Sequence, residues 1–539
     1  MRLVGGAGAY TAAAKYGAVS LSTLGIAGCQ VRRSPQELLQ QLVFAITSDV
    51  RSFDPAYIIM ALDSYISANI HETLTWFNRD VELVPRLALS WEPEDQGLRW
   101  VFRLRPNVRF HDGTVFNAEA VKHHFERIKN PETRSNRISR VAPLKSVEVL
   151  DPLTVRFHMH EPFAVWPDQI RSGWAGIVSP SRVAATSRPQ DYTDLPVGTG
   201  PFRFVEYIPD RFIRLEKNPD HWNADAFSIH SLEFRPVREA TTRLILVEQG
   251  QVDIAQVSFA HVDVAERSES MTLKRRPHLA TSYVGFNNMR APMIDVRVRR
   301  AINKAVDREV IVRQALRGSG FPAAGPVPRA LKEANPELAE GYEYNIDLAR
   351  KEMAEAGVQP GTRLILWSTE RSEERLQCEL LKEMLREIGL NIEPRIIDQS
   401  AYWGQFDRYQ KRDSAGNPDW RPNDPGVFDM FIAGWVGGES AWGFLDPLFR
   451  STSTSNSSFY NNPEVDRLLK LALATPDPEP RTQIFHRIQK IVFEDAPWLF
   501  MYDRELTFVA HNRIDGFVPH PSGEYEFHDV ALRTMEGLL

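Results

Sequence analysis

The side chains best suited to handling a bound molecule gather in one segment, Phe431 to Phe449. There an apolar run (Phe431, Ile432, Ala433) meets Gly434–Trp435, then a glycine-bearing loop with Glu439 and a second tryptophan, Trp442. Glycines let the backbone approach a ligand closely, and two indoles can cover an apolar or planar part of it. The competing role for Trp435 and Trp442 is closure of the local core. This is binding chemistry rather than bond-making chemistry. The chain contains no G-x-S-x-G, H-E-x-x-H or P-loop pattern. His71–Glu72 lacks the second histidine that zinc hydrolysis needs. His158 and His160 share one face of an expected strand, and His123–His124 sit together on an expected helix. Neither pair has a cysteine or carboxylate at ligand spacing. We expect no metal, no cofactor and no enzymatic activity.

Composition sets the outer bounds. The 539 residues are 43% hydrophobic and 25% charged, an ordinary globular balance with ample core. A net charge of −6 without a basic cluster argues against a nucleic-acid partner. There are two cysteines. Cys378 falls within the helical spacing Leu376, Leu380, Met384, Ile388 and is expected as a buried free thiol. Cys29 ends an uncharged run of small and apolar residues, Tyr16 to Gly28, too short to span a bilayer but suited to a secretory signal. Ile26-Ala27-Gly28-Cys29 resembles the bacterial lipobox, which implies acylation of Cys29; export with ordinary cleavage is the alternative. Gln30 to Gln40 then reads as a polar tether.

The elements that must position the loop are legible in outline. Leu42–Ile46 reads as a buried strand and Arg99–Leu104 as an alternating one. A short strand ends at Phe110 before the turn His111-Asp112-Gly113-Thr114, and Asn117 caps a helix presenting Val121, Phe125 and Ile128. Val147 to Met159 reads as a hairpin turning at Asp151–Pro152, and Thr241–Gln249 as a helix ending at Gly250. Asp295 and Asp307 cap the helices Val296–Ala305 and Arg308–Leu316. Strand Leu364–Trp367, helix Glu373–Ile388 with Gly389 behind it, and strand Asn391–Ile397 predict a parallel pair. Lys411–Gly426 reads as a polar loop, and Ser451–Ser458 as an exposed, mobile one.

Several short patterns occur in a fixed order. Pro85 to Phe125 contains LALSWE, LRPNVRFHDGTVF and AEAV; His71-Glu72-Thr73-Leu74 precedes it. Val197-Gly198-Thr199-Gly200-Pro201-Phe202, Asn218-Pro219-Asp220-His221-Trp222, Phe286-Asn287-Asn288 and Asp295 to Ile302 follow. Together they resemble the family 5 extracytoplasmic solute-binding proteins, the peptide, nickel and opine receptors of ABC importers. Asn107 stands where that family usually has glycine.

The resemblance implies an α/β, two-lobed periplasmic-binding-protein fold (type II, class C-like) with an extra subdomain inserted in lobe I. On this chain that means a signal over 1–29, a tether over 30–40 and lobe I from 41–54, 178–280 and 505–539. The insert would be 55–177 and lobe II 281–504. Hinge crossings are expected near Thr281–Asn287 and Phe500–Thr507, where Tyr283 and Asn287 join the expected ligand contacts. Peptide-binding relatives carry an aspartate two or three residues after Gly-Trp to meet the peptide ammonium. Here those places are Gly437 and Gly438, so Glu439 would have to take the role if the loop curls back. The loop form, and a tail with Pro497-Trp498, Gly516-Phe517 and Pro521-Ser522-Gly523, are similar to the glutathione-binding members. Arg371, after strand Leu364–Trp367, would meet a ligand carboxylate as a bidentate fork; a solvated arginine among Glu370, Glu373 and Glu374 is the alternative. The implied partners are a peptide-like solute, the ABC permease and a lipid anchor, for a monomer outside the cytoplasm. The rival classes are a metal- or haem-scavenging receptor and an exported hydrolase.

Overall fold

The computed structural model describes residues 40–187, 191, 192, 194–410 and 427–533. Cys29 with the expected signal and nearly all of the expected tether, and the expected polar loop 411–426, lie outside the described residues. The chain enters at β1 (Gln41–Ile46), buried at every residue but the first, as its apolar run predicts. It then makes a separate unit. β2 (Ala88–Glu94), β3 (Arg99–Leu104), β4 (Leu144–Asp151) and β5 (Thr154–Met159) form an antiparallel sheet in the order β2-β3-β5-β4. Helix α1 (Ala118–Lys129) starts where Asn117 Oδ1 accepts the Ala120 N–H at 3.1 Å. Its Val121, Phe125 and Ile128 are buried in the core of this unit with Phe157 and Trp166. The run ending at Phe110 is no full strand. It makes a single bridge, Arg109 with Val115, because the His111–Gly113 turn reverses the chain at once.

The main sheet follows. β6 (Phe202–Ile208), β7 (Phe212–Lys217), β8 (Ser231–Pro236), helix α2 (Ala240–Glu248) and β9 (Ile254–Gln256) complete the first lobe around β1. β10 (Met271–Phe286) leads to α3 (Val296–Ala305), α4 (Arg308–Ala315) and the short β11 (Gly320–Pro322). Then come β12 (Thr362–Thr369), α5 (Ser372–Arg386), β13 (Leu390–Ile397), β14 (Met430–Val436), α6 (Trp442–Phe449), α7 (Pro478–Asp495) and β15 (Trp498–His511). Asp295 and Asp307 cap α3 and α4 as expected, accepting from Arg297 N and Val310 N. β12 and β13 pair in parallel around α5, and Gly389 takes φ +84° behind that helix.

The strand order is β13-β12-β14-β10-β15-β9-β1-β8-β7-β6, with β11 on β15. Two long antiparallel strands, β10 and β15, run through both lobes. Their register holds from Met271–His511 to Pro277–Glu505, slips before Thr281–Asp503, slips again between Ser282 and Tyr283, and ends at Gly285–Trp498. Separate cores lie on either side of these slips, one around Phe44, Phe234 and Phe508 and others around Phe431, Trp498 and Leu366. Cys378 is buried, and burial pushes its thiol up to about 11.

The segment 451–458 departs from expectation. Asn456, Ser457 and Ser458 are buried: the Asn456 amide donates to the Tyr460 carbonyl at 2.7 Å, and Ser458 Oγ accepts the Trp498 indole N–H at 2.8 Å. Polar composition signalled solvent, whereas these side chains satisfy the backbone and an indole inside the second lobe.

Four of the short sequence patterns meet at one carboxylate. Glu72 Oε1 accepts the Trp222 indole N–H at 2.9 Å and lies 3.2 Å from His221 Nε2 and 3.3 Å from Arg86 Nε; Oε2 accepts the Thr199 hydroxyl at 2.8 Å. Burial alone would raise this carboxyl; His221, Arg86 and Trp222 outweigh it and hold it down to about 2. Beside it His71, kept neutral by burial at about 3, lies 3.0 Å from Ser67 Oγ and 2.9 Å from the Tyr192 hydroxyl. His111 Nε2 lies 3.0 Å from the Gly200 carbonyl, which also accepts from the Asn218 amide at 3.1 Å. What reads as a set of turns in sequence is one interlocked joint between the inserted unit and the first lobe.

Candidate ligand-binding site

β14 carries the chain to the gap between the lobes, where it turns through residues 437–441 into α6. The turn folds tightly on itself. A Cβ on Gly443 would sit 1.7 Å from the Gly437 carbonyl oxygen, and Gly438 takes φ +82°. This curl brings Glu439 inward, as the sequence required if it was to replace an aspartate. Its side chain is 1% exposed and pairs with Arg171, which stands just beyond a helical turn (Trp166–Gln169) of the inserted unit. Arg171 also pairs with Glu524 at 2.9 Å, a C-terminal residue whose side chain is 3% exposed. Three separate stretches of chain thus meet at one guanidinium.

These residues line a cavity of about 330 Å³. Its wall includes three cations, Arg137, Arg140 and Arg171, and three carboxylates, Asp168, Glu439 and Glu524. One oxygen of each glutamate, Glu439 Oε1 and Glu524 Oε2, is buried with no hydrogen-bond partner among the described residues. A charged oxygen left so costs several kcal/mol unless something pairs with it, on the order of a broken buried ion pair. Burial also raises Asp168 to about 7, against the pull of Arg481 at 3.8 Å. It pushes Arg171 down from the usual guanidinium range. The apolar part of the wall comes from Ile58, Ile59, Met60, Trp174 and Val436.

Glu439, His520 and Glu524 each bring one potential metal-ligand atom within 4.8 Å of the others. Both ring nitrogens of His520 are engaged: Nδ1 lies 2.6 Å from Ser522 Oγ, and Nε2 lies 3.1 Å from the Phe77 carbonyl. Arg171 already bridges the two carboxylates. The donor set therefore holds an internal cation and suits a metal poorly. Among the histidine pairs, His158 contacts Glu148 at 2.8 Å on the exposed sheet face, and His124 lies 3.2 Å from the Trp174 carbonyl inside the insert; neither partners its neighbour.

A second cavity of about 190 Å³ meets the first at Val436 and is lined by Trp435, Arg371, His278, Tyr402, Trp403 and Arg504, among others. Trp435 is half-buried, its indole donating to the Gly443 carbonyl at 2.8 Å, so the ring is fixed against the loop. Arg371 is exposed at the start of α5, while Glu374 turns inward to accept the Thr369 N–H at 2.9 Å. The other expected contacts sit deeper. Trp442 is buried, edge-on to Phe163 with ring centroids 6.4 Å apart. Tyr283 stacks flat on Trp498 at 3.6 Å, and Asn287 donates to the Phe428 carbonyl at 3.1 Å. These three have structural duties in the core of lobe II. The end of β14 and its curl bring Trp435 and Glu439 to the gap, the start of α5 brings Arg371, and Trp442, Tyr283 and Asn287 stay beneath it.

Trp435→Ala is expected to weaken ligand binding by about 2 kcal/mol, as truncating a fixed cleft aromatic does, with little loss of stability. Melting and titration of one sample check this. A collapsed melt with unchanged affinity in the folded fraction would assign the ring to the core.

Arg171, Glu524, Arg137 and the Ile58–Met60 wall escaped the sequence reading, because no local pattern joins them. Only the Pro521-Ser522-Gly523 turn, next to Glu524, pointed their way.

Comparison with known proteins bears on the family and the fold. The model of the family described as bacterial extracellular solute-binding proteins, family 5, matches residues 82–456. A glutathione-binding protein GsiB of Pectobacterium atrosepticum is 29% identical over 507 residues, covering 93% of this chain and 95% of that one. HbpA2 from Haemophilus parasuis superposes with a TM-score of 0.80 at 25% identity, covering 92% of this chain and 100% of that one. The periplasmic murein tripeptide-binding protein MppA, in its unliganded open form, gives 0.79 at 20% identity, covering 92% and 97%. Among the described residues no helix is long and apolar enough to cross a membrane. With the family model spanning most of its length, this chain belongs to the family 5 bacterial extracellular solute-binding proteins, the receptors of ABC importers.

Proposed function

We propose that the chain receives a small peptide-like solute, bearing a free ammonium and at least one carboxylate, between its lobes and hands it to the permease of its importer without making or breaking bonds. One observation carries this: Glu439 and Glu524, each with a buried, unpartnered carboxylate oxygen, line a cavity whose wall also holds Arg137 and Arg140. An ammonium answers the first pair and a carboxylate the second. Arg371 in the adjoining cavity offers another carboxylate contact. The glutathione-binding name of the 29%-identical relative supports a solute of this class. Mass spectrometry of ligand released from protein purified without denaturation tests the reading. A retained free-amine peptide supports it; an ammonium-free solute contradicts it.

The hinge would lie at the first of the two register slips, between Pro277 and Thr281, where β10 and β15 lose their regular pairing. That places lobe I, built from 41–54, 178–280 and 505–539, on one side and lobe II, 281–504, on the other, with 55–177 inserted in the first. The receptor acts as a monomer held to the membrane through acylated Cys29. Cys29→Ser is then expected to release the protein from membranes, read by fractionation; a serine variant still pelleting with membranes contradicts the anchor. A metal cargo is the second reading, favoured only by the proximity of Glu439, His520 and Glu524. Elemental analysis of the same purified sample decides it.

A further inference from the structure

Two features of the cavity, taken together, narrow the zwitterion it would take. The first is a charge count at its buried end. Glu439 and Glu524 share one cation, Arg171, so the trio is one positive charge short, and each glutamate keeps an unpartnered oxygen. A single ammonium completes it. The second is the wall beside that end. Ile59 is 56% exposed, Met60 44% and Val436 55%, and all three line this cavity. They come from both lobes, two from the segment entering the helix Ala61–Ser67 and one from the end of β14.

The apolar wall and the carboxylates are mounted on the same supports. Val436 stands three residues before Glu439 on one continuous turn. Met60 is the residue before the helix whose Tyr65 hydroxyl donates to the Ser522 carbonyl at 2.8 Å, two residues before Glu524. Exposed apolar side chains scattered singly over a surface mean little, but three converging on one cavity beside a buried charge mark a place that a ligand covers.

Resting on the proposed function, we propose that this cavity contains an apolar subsite, made by Ile59, Met60 and Val436, next to the ammonium position of Glu439 and Glu524, so that the preferred solute carries an aliphatic or aromatic side chain beside its free amine. A peptide beginning with leucine or phenylalanine fits. A ligand polar along its whole length, such as glutathione, leaves the wall wet.

Unbranched alkylammonium ions of increasing length probe the subsite without assuming a peptide. Titrated into the full chain by calorimetry or thermal shift, their affinity is expected to rise roughly two- to fourfold per added methylene, the gain of burying that group. Met60→Ser and Val436→Ser should each flatten this dependence, while Glu439→Gln should weaken every member alike. In a second arm, Leu-Ala should bind about tenfold or more tighter than Gly-Ala, the worth of one buried aliphatic side chain. Affinity independent of alkyl length, no alkylammonium binding at all, or glutathione binding more tightly than Leu-Ala overturns the subsite. A length dependence without binding of any peptide keeps the subsite and overturns the peptide reading instead.

Discussion

Glu72→Ala is expected to lose about 3–5 kcal/mol of stability at neutral pH, the cost of removing one partner from a buried charge cluster. Arg86 Nε, the Trp222 indole and the Thr199 hydroxyl would each lose their acceptor, while Arg86 Nη2 keeps the Ala68 carbonyl. The pH dependence gives an independent reading of the same energy. The folded carboxyl is held at about 2 against an ordinary 4.5, so its contribution, about 3 kcal/mol, is fully present above pH 4.5 and is lost as pH falls through 2. The gap between wild type and variant should therefore be constant above pH 4.5 and close progressively below it. Denaturant unfolding across that range is the measurement. A gap under about 1 kcal/mol at pH 7, the worth of an exposed pair, would mean the cluster is far more solvated than its burial indicates.

Glu439→Gln should have the largest effect on binding. The amide keeps the size of the side chain and leaves Arg171 paired with Glu524, so folding suffers little. The ligand ammonium, however, loses a buried counter-charge. Truncating one partner of a buried hydrogen-bonded charge pair costs about 2–5 kcal/mol, roughly a thirtyfold or greater rise in Kd. Titration of wild type and variant with the solute recovered from the native protein checks this. Equal affinities would place the ammonium elsewhere in the cleft.

Much of the fold was legible in sequence because it rests on local signals. Caps at Asn117, Asp295 and Asp307, the apolar run of β1 and the β12–α5–β13 order each depend on residues close in the chain. The segment 451–458 was misjudged for the complementary reason: its polar side chains serve partners such as Trp498, forty residues away, that composition does not reveal. The site divides the same way. Trp435, Arg371 and Glu439 stand in or beside a recognisable strand-to-loop pattern and reach the gap. Tyr283 and Asn287 lie on or just after a strand correctly read, but face a core whose stacking partner Trp498 arrives from β15. Arg171 and Glu524 are 353 positions apart and meet only through the fold.

The free-amine requirement is the centre of this account, and calorimetric titration of the full chain with peptides in matched free and N-acetylated forms tests it most directly. With Glu439 and Glu524 lining the cavity and each holding an unpartnered oxygen, at least one free-amine peptide should bind, and its acetylated form should bind roughly thirtyfold more weakly or worse. Equal affinity for the two forms, or binding of the acetylated peptide alone, would contradict it.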